Sequence, residues 1–331
     1  MLNVAVVGLG WWGRVIVQLL RQNSRLNVIA GVDVSSEAAG FAREQKIMLS
    51  GDYEKALTDR SVQAVILCTP HSLHTDQIVR AANARKQVFC EKPLSLSRAD
   101  VLRATDACNA NKVVLAVGHE KRFEPPIQEV MRLSQAGELG TLLQIEANFS
   151  QDKFLSLPVD NWRLSAREAP AGPMTATGIH LLDLSVALLG PAERAFASVR
   201  QLGSQLVNGD TLGVLVSFRS GANALLSAML ATPFVGRFAV FGNRGWAEVR
   251  DKAHPEAPEG WTLTTCSRGG EPQARDYPPA RAVLANLEAF ADAVDGRAPY
   301  PVPQEQMIAN ISALEAIFRS ATSGRVEMVE N

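Results

Sequence analysis

"LNVAVVGLGWWGRVIVQLL", residues 2–20, runs a β-branched apolar stretch straight into glycines and then into helical spacing. Gly8, Gly10 and Gly13 form a GxGxxG pattern between an expected strand and an expected helix. Glycines let the backbone turn tightly and approach a pyrophosphate, whose charge then rests on the helix N-terminus. The pattern alone also describes an ordinary glycine-rich turn, but a strand before it and a helix after it favour the nucleotide reading. A second apolar run, "LNVIAGVDV" (26–34), carries Asp33, 20 residues after Gly13. A carboxylate there accepts hydrogen bonds from ribose hydroxyls and repels a 2′-phosphate. No Arg or Lys lies between 34 and 42 to receive such a phosphate. NAD is therefore expected, with NADP as the alternative.

Working outward, "VQAVILCTP" (62–70), "KQVFCEKP" (86–93) and "KVVLAVGH" (112–119) repeat the apolar-strand signal. "HTDQIVRAANAR" (74–85) and "SRADVLRATDACNAN" (97–111) separate them with helical spacing. Continuous apolar strands alternating with amphipathic helices imply an α/β fold, a Rossmann-type doubly wound parallel sheet covered on both faces. This domain is expected over 1–120. The grammar then changes to strand-like runs joined by Gly/Asn turns, as in "DTLGVLVSFRSGANALLSAMLA" (210–231) and "RFAVFGNRGWAEVRD" (237–251). Helix-like stretches remain mainly at 173–189, 281–296 and 303–322. Successive strands imply a second, α+β domain over 121–331 with a large, mostly antiparallel sheet.

Whole-chain properties narrow the function classes. A length of 331 residues allows two domains with real cores, and a formal net charge of −1 argues against nucleic acid or an anionic membrane as partner. Cys68, Cys90, Cys108 and Cys266 lie far apart, so neither a zinc site nor a disulfide framework is expected, and no metal is. The opening residues lack the basic flank of a signal peptide, and no run reaches membrane-spanning length. A cytoplasmic location fits.

Ligands of open α/β sheets bind outside the carboxyl ends of the strands. Thr69, Pro70, His71 and His74 follow one apolar strand there, and Glu91, Lys92 and Pro93 follow the next. A lysine at a strand end is usually a solvated charge. Lys92 is preceded by a wholly apolar strand and followed by Pro93, so it is read as pointing into the crevice.

With these residues in place, the chain resembles the glucose-fructose oxidoreductase / inositol dehydrogenase / MocA family over nearly its whole length. The resemblance is carried by "GLGWWG" (8–13), "CTPHSLH" (68–74), "EKP" (91–93), "VGHEKRFEP" (117–125), "GELG" (137–140), "WR" (162–163), "GIHLLDL" (178–184) and "SATSGR" (320–325). It implies hydride transfer between a nicotinamide and a secondary carbinol of a sugar, cyclitol or related polyol. It also implies a homodimer or homotetramer built through the second domain's open sheet.

Residue by residue, the resemblance implies that Gly8, Leu9, Gly10, Trp11, Trp12 and Gly13 hold the pyrophosphate and Asp33 the ribose. Thr69, Pro70, His71 and His74 would line the nicotinamide half, with Glu91 and Lys92 beside the ring. Lys92 would exchange a proton with the reacting hydroxyl, helped by a pKa lowered by burial and by the positive nicotinamide. Arg122, Trp162, Arg163 and Thr177 would shape the substrate pocket, and His180 would bind the hydroxyl. One departure stands out. Many relatives carry a carboxylate four residues before this histidine, and here that residue is Ala176. Asp183, one turn beyond His180, is the candidate to compensate. Two alternatives stay open: an NADP-dependent reductase or ring-diol dehydrogenase of the same family, and a non-catalytic dinucleotide-binding sensor or scaffold.

Overall fold

A computed structural model describes residues 1–255 and 257–330. The chain divides into two compact units, Met1–His119 with Val283–Met307, and Glu120–Ala282 with Ile308–Asn331.

The first unit holds six strands: β1 (Leu2–Val7), β2 (Leu26–Val32), β3 (Met48–Ser50), β4 (Ala64–Leu67), β5 (Gln87–Cys90) and β6 (Leu115–Val117). All pair in parallel, in the order β3-β2-β1-β4-β5-β6. The order reverses between β1 and β4, which opens the crevice where doubly wound sheets bind ligands. Helices α1 (Trp11–Leu20), α2 (Ala38–Gln45), α3 (Tyr53–Thr58), α4 (His74–Asn83) and α5 (Arg98–Asn111) lie between the strands. Val4, Val6, Ile66, Phe89 and Ile16 are almost wholly buried, because a sheet covered on both faces needs apolar side chains on both.

In the second unit a sheet of nine strands runs β14-β13-β12-β11-β7-β10-β9-β8-β15. Its members are β7 (Leu142–Ser150), β8 (Ala192–Arg200), β9 (Thr211–Phe218), β10 (Asn223–Met229) and β11 (Val235–Gly242). They continue with β12 (Gly245–Asp251), β13 (Trp261–Ser267), β14 (Gln273–Tyr277) and β15 (Glu327–Met328). Every pair is antiparallel except β7 with β10. Helices α6 (Pro125–Gln135) and α7 (Ile179–Leu189) pack on this sheet. α7 is apolar nearly all round and correspondingly buried.

Two features differ from the sequence reading. The segment 283–307, expected in the second domain, belongs to the first unit. The reason is packing: Leu287, Phe290 and Ala291 of α8 (Ala282–Val294) join the core of the six-stranded sheet, with Phe290 edge-on to Phe89 at 5.9 Å. Asn23 donates to Glu288 (2.7 Å) and Arg25 pairs with Asp292, which ties the same helix down by its polar side. The helix expected over 173–189 is also not uniform. Met174–Gly178 form a π-turn, a wider winding that takes up an extra residue before α7 begins. The final helix, α9, spans Gln304–Ser323.

Candidate active site

In the first unit, three glycines shape the turn between β1 and α1, each differently. Gly8 has φ +89°, and a Cβ on it would stand 2.7 Å from the Cys68 carbonyl oxygen. A Cβ on Gly13 would stand 1.9 Å from Gly8 O, so helix and strand can approach this closely only without side chains. Gly10 faces open space. It also forms the N-cap of α1 without any side-chain cap, so the leading N–H groups of the helix are available to an anion. Asp33 organises the loop: Leu9 N–H donates to Oδ2 (2.5 Å) and Ser35 N–H to Oδ1 (2.7 Å). A carboxylate has about four acceptor positions, so it retains capacity for ribose hydroxyls. Trp11 is exposed and the Trp12 ring lies beside it, tilted, at 5.3 Å, with the Trp12 indole nitrogen buried and without a partner. This cradle fits a dinucleotide.

Sequence reasoning overlooked Arg14. Its guanidinium donates to Leu9 O (2.9 Å) and to Glu37 O (3.3 Å) and lies over Phe41. A cation therefore does stand near the β2–α2 turn, although none follows β2 directly in sequence.

At the end of β4, Thr69 donates through Oγ1 to Gln77 (2.6 Å), and His71 begins a short 3₁₀ turn. His74, expected to line the cofactor's nicotinamide half, is instead wholly buried. Its Nδ1 lies 2.8 Å from Pro93 O and its Nε2 3.0 Å from Thr69 O, so it fastens the loop after β4 to the loop after β5. Starting α4, its side chain turns into the layer between these loops. Glu91 is buried against Gly118, where a Cβ would meet Oε2 at 2.6 Å, and its carboxylate accepts from Lys92 N–H (3.3 Å). Lys92 is half-buried at the carboxyl end of β5, followed by a cis peptide to Pro93.

In the second unit, His180 is buried in the first turn of α7, its ring 5.9 Å from Phe149. Asp183, the candidate compensating carboxylate, is bound by an arginine. Arg122 grips Asp183 with two bonds, Nε to Oδ2 (2.6 Å) and Nη2 to Oδ1 (2.7 Å), both side chains buried. Arg122, expected in the substrate pocket, is thus committed to a buried ion pair. A carboxylate does lie beside His180, that of Glu120, with Oε1 3.6 Å from Nε2. Sequence reasoning missed it because the two residues sit on separate elements, with no periodicity to link them.

Thr177, also expected to face substrate, is buried and donates to Phe149 O (2.8 Å). Trp162 and Arg163 share a 3₁₀ turn, the guanidinium 4.3 Å over the indole. Asn208, another residue the sequence did not single out, holds that turn by donating to Arg163 O and Ala169 O, both at 2.9 Å.

Phe149 is also 6.1 Å from both Phe234 and His254. Lys153 lies 3.0 Å from His254 Nδ1; a lysine can only donate, so Nδ1 accepts, and Nε2–H donates to Gln151 Oε1 (2.6 Å). Burial, then Lys153 and Lys121, pull the His254 pKa down to about 4. Lys121 sits over the Phe149 ring at 5.1 Å and pairs with Glu124 and Asp251, each at 3.0 Å. Burial works against its charge, but these two carboxylates outweigh it and strengthen the ammonium. Burial pushes Glu124 up to about 8 although Lys121 pulls the other way.

Among the described residues, no helix is long and apolar enough to cross a membrane.

Comparison with known proteins agrees with this architecture. Residues 2–119 match the GFO/IDH/MocA oxidoreductase family model with its NAD-binding Rossmann fold, and residues 127–248 match the family's C-terminal domain. D-xylose 1-dehydrogenase (NADP(+)) 2 of Haloferax volcanii is 28% identical, over 83% of this chain and 82% of its own. Inositol 2-dehydrogenase of Rhizobium meliloti is 26% identical, over 97% of each chain. The crystal structure of GenD2 from gentamicin A biosynthesis, in complex with NAD, superposes with a TM-score of 0.85 at 25% identity, covering 100% of this chain and 97% of that one. The chain belongs to the Gfo/Idh/MocA family of oxidoreductases, with an NAD-binding Rossmann domain at its N-terminus.

Proposed function

We propose that this oxidoreductase is a dehydrogenase or reductase of one secondary carbinol on a sugar, cyclitol or related polyol, working with NAD(H). The observation that carries the reading is Lys92, half-buried at the same carboxyl edge of the sheet as the glycine cradle. An amine in that position suits proton exchange with a substrate hydroxyl. The names of the xylose and inositol dehydrogenases support the substrate class.

A nicotinamide held in the first unit would supply the acceptor or donor for the hydride of the carbinol carbon. Gly8, Leu9, Gly10, Trp11, Trp12 and Gly13 would hold the pyrophosphate, and Asp33 the ribose. In the oxidising direction Lys92 Nζ accepts the hydroxyl proton, and in the reducing direction it donates one to the carbonyl oxygen. His180 would hydrogen-bond a substrate hydroxyl and polarise it. Glu91 keeps the Lys92 backbone in place through its hydrogen bond. Asp33 supports NAD over NADP, because a buried 2′-phosphate beside a carboxylate meets like-charge repulsion. Phe196, Leu215 and Leu225, exposed and opposite one another on β8, β9 and β10, support a homodimer or homotetramer built through that face.

The test is a panel of sugars, cyclitols and sugar acids, each with NAD⁺ and with NADP⁺, followed by reduced-nicotinamide absorbance. Turnover of a polyhydroxylated substrate with a lower KM for NAD⁺ is expected. Tighter binding of NADP⁺ by calorimetry would reverse the cofactor assignment and point to Arg14 as the phosphate ligand. Bound NAD⁺ without turnover of any carbinol would reject the catalytic reading.

A further inference from the structure

His180 is 3% exposed, and Glu120, whose carboxylate reaches its ring, has a side chain only 13% exposed. Their 3.6 Å separation is too long for a hydrogen bond but well inside the range where a carboxylate governs an imidazole's charge, and burial strengthens the effect. The helix offers no alternative in the turn before the histidine, where the residues are Ala176, Thr177, Gly178 and Ile179. Several other charged groups of the same unit have partners of their own. Asp183 is gripped by Arg122, and Lys121, over the Phe149 ring, is paired with Glu124 and Asp251. His254, against the same ring, is kept neutral by burial and by Lys153.

We infer that Glu120 is the positioning residue for His180, the carboxylate that favours its imidazolium whenever the ring takes up a proton. The arrangement couples the two groups in both directions. While Glu120 is ionised, His180 holds a proton more firmly; while His180 is charged, Glu120 gives up its own more readily. The inference rests on the proposed role of His180 only for its catalytic consequence, which is a shift in the pH profile of kcat/KM. The charge coupling itself is independent of any reaction.

The test is a pH titration of the five histidine rings by NMR in the unliganded protein, with His180→Gln supplying the assignment. Glu120→Gln keeps the shape and removes the charge, and should lower the His180 pKa by about one unit. Glu120→Asp keeps the charge on a shorter stem and should fall between the two. In the unaltered protein the His180 signal should show a second, small inflection on the acid side, where Glu120 protonates. That curve alone decides the matter should Glu120→Gln fail to fold. A His180 titration with one inflection, or one unmoved in Glu120→Gln, overturns the inference. Turnover of His180→Ala is a separate arm. Full activity there would remove His180 from the proposed reaction while leaving the coupling to be judged by NMR.

Discussion

Lys92 has a glutamate before it and a proline after it, and each fixes something different. The Glu91 carboxylate lies where Gly118 has no side chain, while Pro93 O is held by the buried ring of His74. The lysine therefore leaves the sheet from a backbone tied down on both sides. Lys92→Ala should retain dinucleotide binding by calorimetry and lose turnover by about 10²–10⁴-fold, the usual worth of a placed acid or base. Activity within a few-fold of the unaltered enzyme would exclude the lysine from the chemistry. His254 gives a second residue-scale expectation, this time in stability. Its pKa falls from 6.5 to about 4 on folding, so the unfolded chain takes up a proton that the folded one refuses. The contribution is fully present above pH 6.5 and is lost as pH falls towards 4. Urea unfolding across that window should show a steeper loss of stability in the unaltered protein than in His254→Gln. Equal slopes would mean that the ring is not held neutral.

At the scale of elements, helix α8 shows what periodicity conveys and what it omits. The spacing of Leu287, Phe290 and Ala291 marks an amphipathic helix, and its limits were readable to within a residue or two. Which sheet receives the apolar face depends on complementary shape far away in sequence, here Phe89, and no local signal carries that. Phe290→Ala should cost about 3–5 kcal/mol in denaturant unfolding, since the ring is fully buried in the first unit's core. A loss below about 1 kcal/mol would mean that the helix is only loosely docked. The glycine turn and the strand-end position of Lys92 were legible for the converse reason: their signals are contiguous strand–glycine–helix and strand–proline words. β14, "QARDY", was not, because an exposed edge strand is polar on both faces. Glu120, Asn208 and the partners of His254 meet their sites across separate elements. The π-turn before α7 likewise defeats any count of residues per turn, so an i−4 argument about Ala176 has no firm footing.

At the scale of the whole molecule, the outer face of the nine-stranded sheet carries an apolar row. Phe196, Leu215 and Leu225 stand directly opposite one another on β8, β9 and β10, each 41–43% exposed. Such a row on an open sheet suits burial against a second copy. The unaltered protein should sediment as a dimer or tetramer, and Leu215→Glu should shift it towards monomer. A monomer at micromolar concentration in the unaltered protein would refute that assembly. The chain's route between its units has a consequence of its own, in time rather than space. The ribosome delivers β1 to β6 early, but α8 comes only after all of Glu120–Ala282 has been made. Until then the nascent nucleotide-binding unit has an uncovered apolar flank around Phe89, the kind of surface on which chaperones act. Premature termination anywhere in Glu120–Ala282 would therefore leave the first unit without α8 as well.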